Sequence, residues 1–98
     1  MAKIIWTEEA VRRLKDIYDY ISFENPSAAR KVIDGIYEKA SLLKDFPEIG
    51  YLYRREKEGT ISILLYGHYR IAYLIKTESA VEILGIFHGA MKIEKYLT

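Results

Sequence analysis

The apolar residues change period once along this chain, and that change constrains the fold more than any other feature. Up to Lys44 they recur at helical spacing, and beyond Pro47 they alternate as in strands. A short β-prone run, Lys3-Ile4-Ile5-Trp6, comes first. Ala10, Val11, Leu14, Ile17, Tyr18 and Ile21 then form one i, i+3, i+4 stripe, with Arg12, Arg13, Lys15, Asp16 and Asp19 on the other side. Thr7 suits an N-cap, and Glu8 and Glu9 complement the helix dipole. This helix is expected to end near Phe23. Asn25-Pro26 starts a second one, because Asn caps and Pro fits the first helical position. Its stripe is Ala29, Val32, Ile33, Ile36, Tyr37, Ala40 and Leu43, which predicts a helix over 26–44. Two amphipathic helices joined so tightly pack as a hairpin. Gly35 weakens the second helix and points to a close approach by a neighbour.

Phe46-Pro47-Glu48-Ile49-Gly50 ends the helical half. The chain then reads as irregular up to Gly59. Strands are predicted at 61–65, 69–76 and 80–87, with turns at Gly67-His68 and Thr77-Glu78-Ser79. The order is β-α-α-β-β-β: an α+β domain spanning 1–98, whose antiparallel sheet carries the helix hairpin on one face. Symmetric pairing about Glu78 sets Arg70 opposite Ile86, Ala72 opposite Leu84 and Leu74 opposite Glu82. Tyr69, Ile71, Tyr73, Ile75, Val81, Ile83, Gly85 and Phe87 then face the helices. The expected core is Leu14, Ile17, Ile33, Ile36, Ile71, Tyr73 and Ile83. Arg70 and His88 become diagonal neighbours on the second face, where Leu74, Leu84 and Ile86 form an exposed apolar patch. A one-residue slip would separate Arg70 from His88.

Composition narrows the chemistry. Cysteine is absent, which removes disulfides, thiolate catalysis and Cys-ligated metals and fits a reducing cytoplasm. Fifteen Lys and Arg against fourteen Asp and Glu give a formal charge of +1, without the basic surplus of a general nucleic-acid binder. No apolar run nears the roughly 20 residues of a membrane span, and the first residues have no signal-peptide core. No metal-ligand spacing, glycine-rich phosphate loop or assignable Ser-His-Asp set is present, so no cofactor is expected.

Several segments, taken in order, resemble the ParE/RelE superfamily of toxins from type II toxin–antitoxin systems, and its ParE, or plasmid-stabilisation, branch in particular. They are Trp6-Thr7 with Glu8-Glu9-Ala10, the Leu14–Ile17–Tyr20-Ile21 stripe, Asn25-Pro26-Ser27-Ala28-Ala29, Phe46-Pro47 with Gly50, Tyr69-Arg70-Ile71 with Tyr73, and Val81-Glu82-Ile83-Leu84 leading to His88-Gly89. The resemblance implies a small toxin neutralised by a cognate antitoxin. ParE-like members are associated with inhibition of DNA gyrase, whereas RelE-like members cut mRNA on the ribosome. Tyr51 stands where ParE-like chains often carry Arg, Ile61-Ser62 where an Arg is frequent, and Ala90-Met91-Lys92 where small-Arg-Asp is common. These departures remove cations that a phosphate-directed activity would use.

The resemblance implies two uses for Arg70: holding a phosphate or binding an acidic antitoxin residue. The structural alternative is an ion pair with Glu82 or Glu48. For His88 it implies general acid–base catalysis; the alternative is a residue that caps the strand or packs on Trp6. Glu48 matches a position where one nuclease subgroup has an acid. The leading expectation is a binding toxin whose antitoxin docks on Arg70, Leu74, Leu84, Ile86, His88 and Lys92, flanked by Tyr51 and Tyr53. The enzyme alternative uses Arg70, His88 and Glu48. A degenerate antitoxin-binding module and a homodimer are further expectations.

Overall fold

The protein was analysed as a computed structural model, which describes residues 2–77 and 79–97. Glu78, the centre of one expected turn, lies outside them.

Local signals set the two long helices. Strand β1 is Lys3–Trp6, helix α1 is Glu8–Ser22 and helix α2 is Pro26–Ser41, which continues into a 3-10 turn, Leu42–Lys44. The Thr7 hydroxyl accepts from Ala10 N and also donates to Ile83 O at 2.8 Å, so one side chain caps α1 and ties it to the sheet. Asn25 Oδ1 accepts from Ala28 N at 3.0 Å and caps α2. Four longer strands follow: β2 (Tyr51–Glu56), β3 (Gly59–Tyr66), β4 (Tyr69–Thr77) and β5 (Ala80–His88), with a last 3-10 turn at Ile93–Lys95. Gly67 opens the β3–β4 turn at φ 56°, a left-handed geometry that glycine adopts without strain.

The sheet order is β1-β5-β4-β3-β2. The last three strands form the expected antiparallel meander, and β1 joins its edge parallel to β5, so the sheet is mixed. The segment expected to be irregular contains a strand, β2, paired with β3 and interrupted by a bulge at Tyr53. Its residues, Tyr-Leu-Tyr-Arg-Arg-Glu, alternate poorly because it is an edge strand with one short side against the core.

The helices cover one face. Ala10, Ile36, Ala40 and Leu43 pack on Leu64, Ile71, Tyr73, Val81, Ile83 and Ile86, with Leu14 and Ile17 half-buried at the margin. Ile36, Ile71, Tyr73 and Ile83 are buried as expected. Ile33 is only half-buried. Trp6 stacks on Tyr37 at 5.9 Å, not on His88. Tyr66 of β3 lies directly against Gly35, the close approach that the glycine indicated.

The register corrects the expected faces. Leu74 does pair with Glu82, but Tyr73 pairs with Ile83 and Ala72 with Gly85, leaving Leu84 as an extra residue. This bulge shifts everything beyond it by one. Arg70 therefore lies opposite Phe87, and Tyr69 opposite His88. Ile86 turns under the helices, buried to 2% exposure, and Phe87 turns away from them. Phe87 rests over Gly85, where a Cβ would come within 2.6 Å of its ring.

The second face is covered too. Ile93 and Leu97 of the C-terminal segment pack on Ile61, Ile63, Ala72, Leu74 and Phe87, with Tyr53, Leu84 and Met91 at the edge. Leu74, expected in an exposed patch, is buried. The tail beyond His88 has length for only a turn or two, and apolar residues four apart, Ile93 and Leu97, suffice to make that turn a lid.

Candidate partner-binding surface

Three arginines from three elements converge on the C-terminal segment. Arg70, on β4, donates through Nη2 to Met91 O, and Arg54, on β2, donates through Nη2 to Leu97 O. Arg13, on α1, places its guanidinium 4.7 Å from the Phe87 ring centre and 4.5 Å from that of Tyr96. Phe87 and Tyr96 themselves stack at 5.4 Å. Arg13 can reach them because β1 stops at Trp6, so the edge of β5 beyond Ile83 meets α1 instead of a strand. Glu9 holds Arg13 in place through Nε at 2.6 Å. Arg54 also pairs with Glu56 at 3.2 Å. The Nε atoms of Arg54 and Arg70 are buried without an acceptor.

Part of this face stays open. Between the start of α1 and the β2–β3 hairpin lies a groove of about 510 Å³, with Ile61, Leu74 and Leu84 in its floor and Glu9, Arg54 and Lys57 on its rim. It is a shallow, apolar-floored site ringed by charge, which suits a partner's side chains. Lys76 and Glu82 pair on the same face at 3.2 Å. Tyr51 is exposed on the β2 edge, Tyr53 is half-buried beside Arg54, and Lys92 is exposed just before the last turn.

His88 belongs to the other face. It lines a second groove of about 480 Å³ with Asp16, Ile17, Tyr20, Tyr69 and Ile86. Its ring meets Tyr69 edge-on at 5.6 Å and stacks over His68 at 6.2 Å, and its Nδ1 accepts from Ala90 N at 3.2 Å. Burial is the main cause that raises the Tyr69 hydroxyl above the usual tyrosine range. Glu48 is exposed in the loop before β2, beside a small pocket with Leu52, Arg55, Thr60 and Ser62. The expected cluster is therefore divided. Arg70, Leu74 and Leu84 share the tail-covered face, Ile86 and His88 the helix-covered one, and Glu48 stands apart. Arg70 pairs with neither Glu82 nor Glu48; its acceptor is a backbone carbonyl. Sequence reasoning places Arg13 on the polar side of the first helix and reads Arg54, in the mixed-charge run Arg54-Arg55-Glu56-Lys57-Glu58, as solvated surface or, beside Tyr51 and Tyr53, as partner contact; neither reading includes the C-terminal segment. Among the described residues no group of three or more His, Asp or Glu is placed to hold a metal ion.

The family model for the ParE toxin of type II toxin–antitoxin systems, parDE, matches residues 4–93. The chain belongs to the ParE toxin family. A solved structure described as the chromosomal ParDE TA system from P. aeruginosa is 25% identical in sequence to this ParE-family chain. The match has a TM-score of 0.72 and covers 90% of this chain and 96% of that one. Comparison with curated proteins gives no significant match. Among the described residues no helix is long and apolar enough to cross a membrane.

Proposed function

We propose that this ParE-family toxin acts by binding an essential target, DNA gyrase, and is silenced when a cognate antitoxin occupies the face formed by β3, β4 and β5. The observation that carries the binding mode is the bulge at Leu84, which puts Arg70 and His88 on opposite faces of the sheet. The two side chains leave the sheet in opposite directions, whereas general acid–base chemistry at a phosphate on Arg70 would need His88 within hydrogen-bond distance or one bridging water. Arg70 is also engaged with Met91 O. The groove floored by Ile61, Leu74 and Leu84, with Tyr51 and Tyr53 on the nearby edge strand, supports a protein partner instead. Family membership supports an antitoxin as one such partner.

The test is induced expression of wild type and His88→Ala, each followed by primer extension on abundant mRNAs. Growth inhibition by both proteins, without codon-dependent cuts, supports the reading. Cuts that appear with the wild type and vanish in His88→Ala refute it and install the ribosome-dependent nuclease.

A further inference from the structure

We propose that the tip of the helix hairpin is the surface with which the toxin grips its target, and that it seats on an arginine- and lysine-bearing surface of that target. This rests on the reading that the target is gyrase. Three observations carry it.

The tip holds aromatic rings that the fold does not use. Tyr20, near the end of α1, is 85% exposed, and Phe23, just past it, is 90% exposed, the two highest values among the described large apolar residues. Neither belongs to a core cluster. Both line an open cleft of about 680 Å³, with Ile21 beside them and Asp19 and Glu24 among the other lining residues. Two rings held in water beside an aliphatic side chain have the build of an interface anchor.

The charge around the rings selects the partner. From Asp16 to Ala29 the chain carries Asp16, Asp19 and Glu24 and no Lys or Arg. Lys15 answers Asp19 at 2.8 Å. Among the described residues no cation lies within ion-pair distance of Asp16 or Glu24, and Arg30 and Lys31, next along α2, pair with neither. Asp16 stands one turn before Tyr20, and Glu24 directly follows Phe23, so free carboxylates flank both rings. The last turn of α1 has no basic residue, although a cation suits the negative end of a helix dipole. An arginine or lysine from a partner answers all of this at once, pairing with a carboxylate and lying over a ring face. Nucleic acid and anionic membrane are repelled, and a second copy would bring the same carboxylates face to face.

The tip adjoins the antitoxin's face without belonging to it. Tyr20 also walls the groove that reaches Met91, at the edge of the tail-covered cluster. An antitoxin on that face stands beside the tip and excludes a second macromolecule by bulk.

The test compares wild type with the double variants Tyr20→Ala/Phe23→Ala and Asp16→Lys/Glu24→Lys, as full-length proteins titrated into purified gyrase acting on relaxed plasmid. Each variant should need at least about tenfold more toxin for half-inhibition, because truncating an anchor or reversing a facing charge weakens a complex that far. All four residues are exposed, so the urea midpoint should hold. Affinity for the antitoxin, the small protein encoded beside this gene, should stay within about twofold, as for a separate site. A folded variant that inhibits as well as wild type overturns the assignment and leaves the gyrase reading intact. Equal losses of antitoxin and gyrase binding overturn it by placing the tip in the antitoxin's seat. A wild-type dimer that Tyr20→Ala/Phe23→Ala breaks overturns it in favour of a second copy. Wild-type toxin that leaves supercoiling untouched takes both readings down.

Discussion

Ile86→Ala and Leu84→Ala form a pair of substitutions whose costs report on the β5 bulge. In an unbulged strand these two residues share a face and a similar environment. Here Ile86 sits under α1 at 2% exposure, and Leu84 is half-exposed at the edge of the groove on the opposite face. Truncating Ile86 removes three carbons from a closed site. At about 0.8 kcal/mol per methylene the transfer loss is about 2.4 kcal/mol, and the cavity left behind brings the total to about 3–4 kcal/mol. Leu84 loses the same three carbons but is already partly in water and leaves no closed void, so its cost should be about 1–1.5 kcal/mol. A chain this size has about 5–15 kcal/mol of stability in all, so Ile86→Ala remains foldable while clearly weakened. In melting experiments the difference is large, since about 1 kcal/mol moves Tm by 4–8 °C in domains of 60–100 residues. Urea unfolding followed by Trp6 fluorescence gives both values directly. Equal costs at the two positions, or a larger one at Leu84, would mean that β5 runs without the bulge and that Arg70 and His88 share a face after all.

Three further outcomes follow from the same packing. Tyr73 is fully buried, donates to Pro47 O at 2.8 Å and accepts from Gly50 N at 3.0 Å. Tyr73→Phe leaves both backbone groups unpaired and should cost about 1–3 kcal/mol by urea titration, and an unchanged midpoint would show that water replaces the hydroxyl. Burial is the main cause that raises this hydroxyl above the ordinary value of about 10, so its contribution is intact below pH 10 and is lost as pH climbs past it. Alkaline melts of the wild type should therefore steepen above pH 10 more than those of Tyr73→Phe, and parallel curves would place the loss elsewhere. Gly85→Ala puts a Cβ 2.6 Å from the Phe87 ring and 3.6 Å from Arg13 Cδ, and should cost about 1–3 kcal/mol by overpacking, whereas a neutral result would show that Phe87 has room to move.

The helical half was legible because its signals are local. Thr7 and Asn25 cap the helices from within their own segments, and the stripes through Leu14 and Ile36 need no knowledge of the sheet. The strand half was legible as far as period two holds. Ile71, Tyr73 and Ile83 fall on the helix side of the bulge register and were placed correctly. Ile86, Phe87 and His88 lie beyond Leu84, and one extra residue reverses each of them. A bulge of this kind has no local spelling. Gly85 was the only hint, since a glycine within a strand often marks a bulge or a close approach. The strand at Tyr51–Glu56 was missed because an edge strand with a charged half breaks the alternation. The fate of Arg70 depended on the tail. Ile93, Tyr96 and Leu97 carried a helical spacing short enough to be passed over, yet they cover the surface on which docking was expected. The contacts of Arg13 and Arg54 with the C-terminal segment became visible only once that segment was seen to fold back.

Gyrase binding is the proposed mode by which this ParE-family toxin inhibits growth. Purified gyrase supercoiling relaxed plasmid, titrated with toxin alone and with toxin mixed beforehand with its antitoxin, tests it most directly. Gyrase binding should give dose-dependent loss of supercoiling with free toxin, the same loss with His88→Ala, and full activity when antitoxin is in excess. Supercoiling that is untouched at toxin concentrations that arrest growth would contradict it.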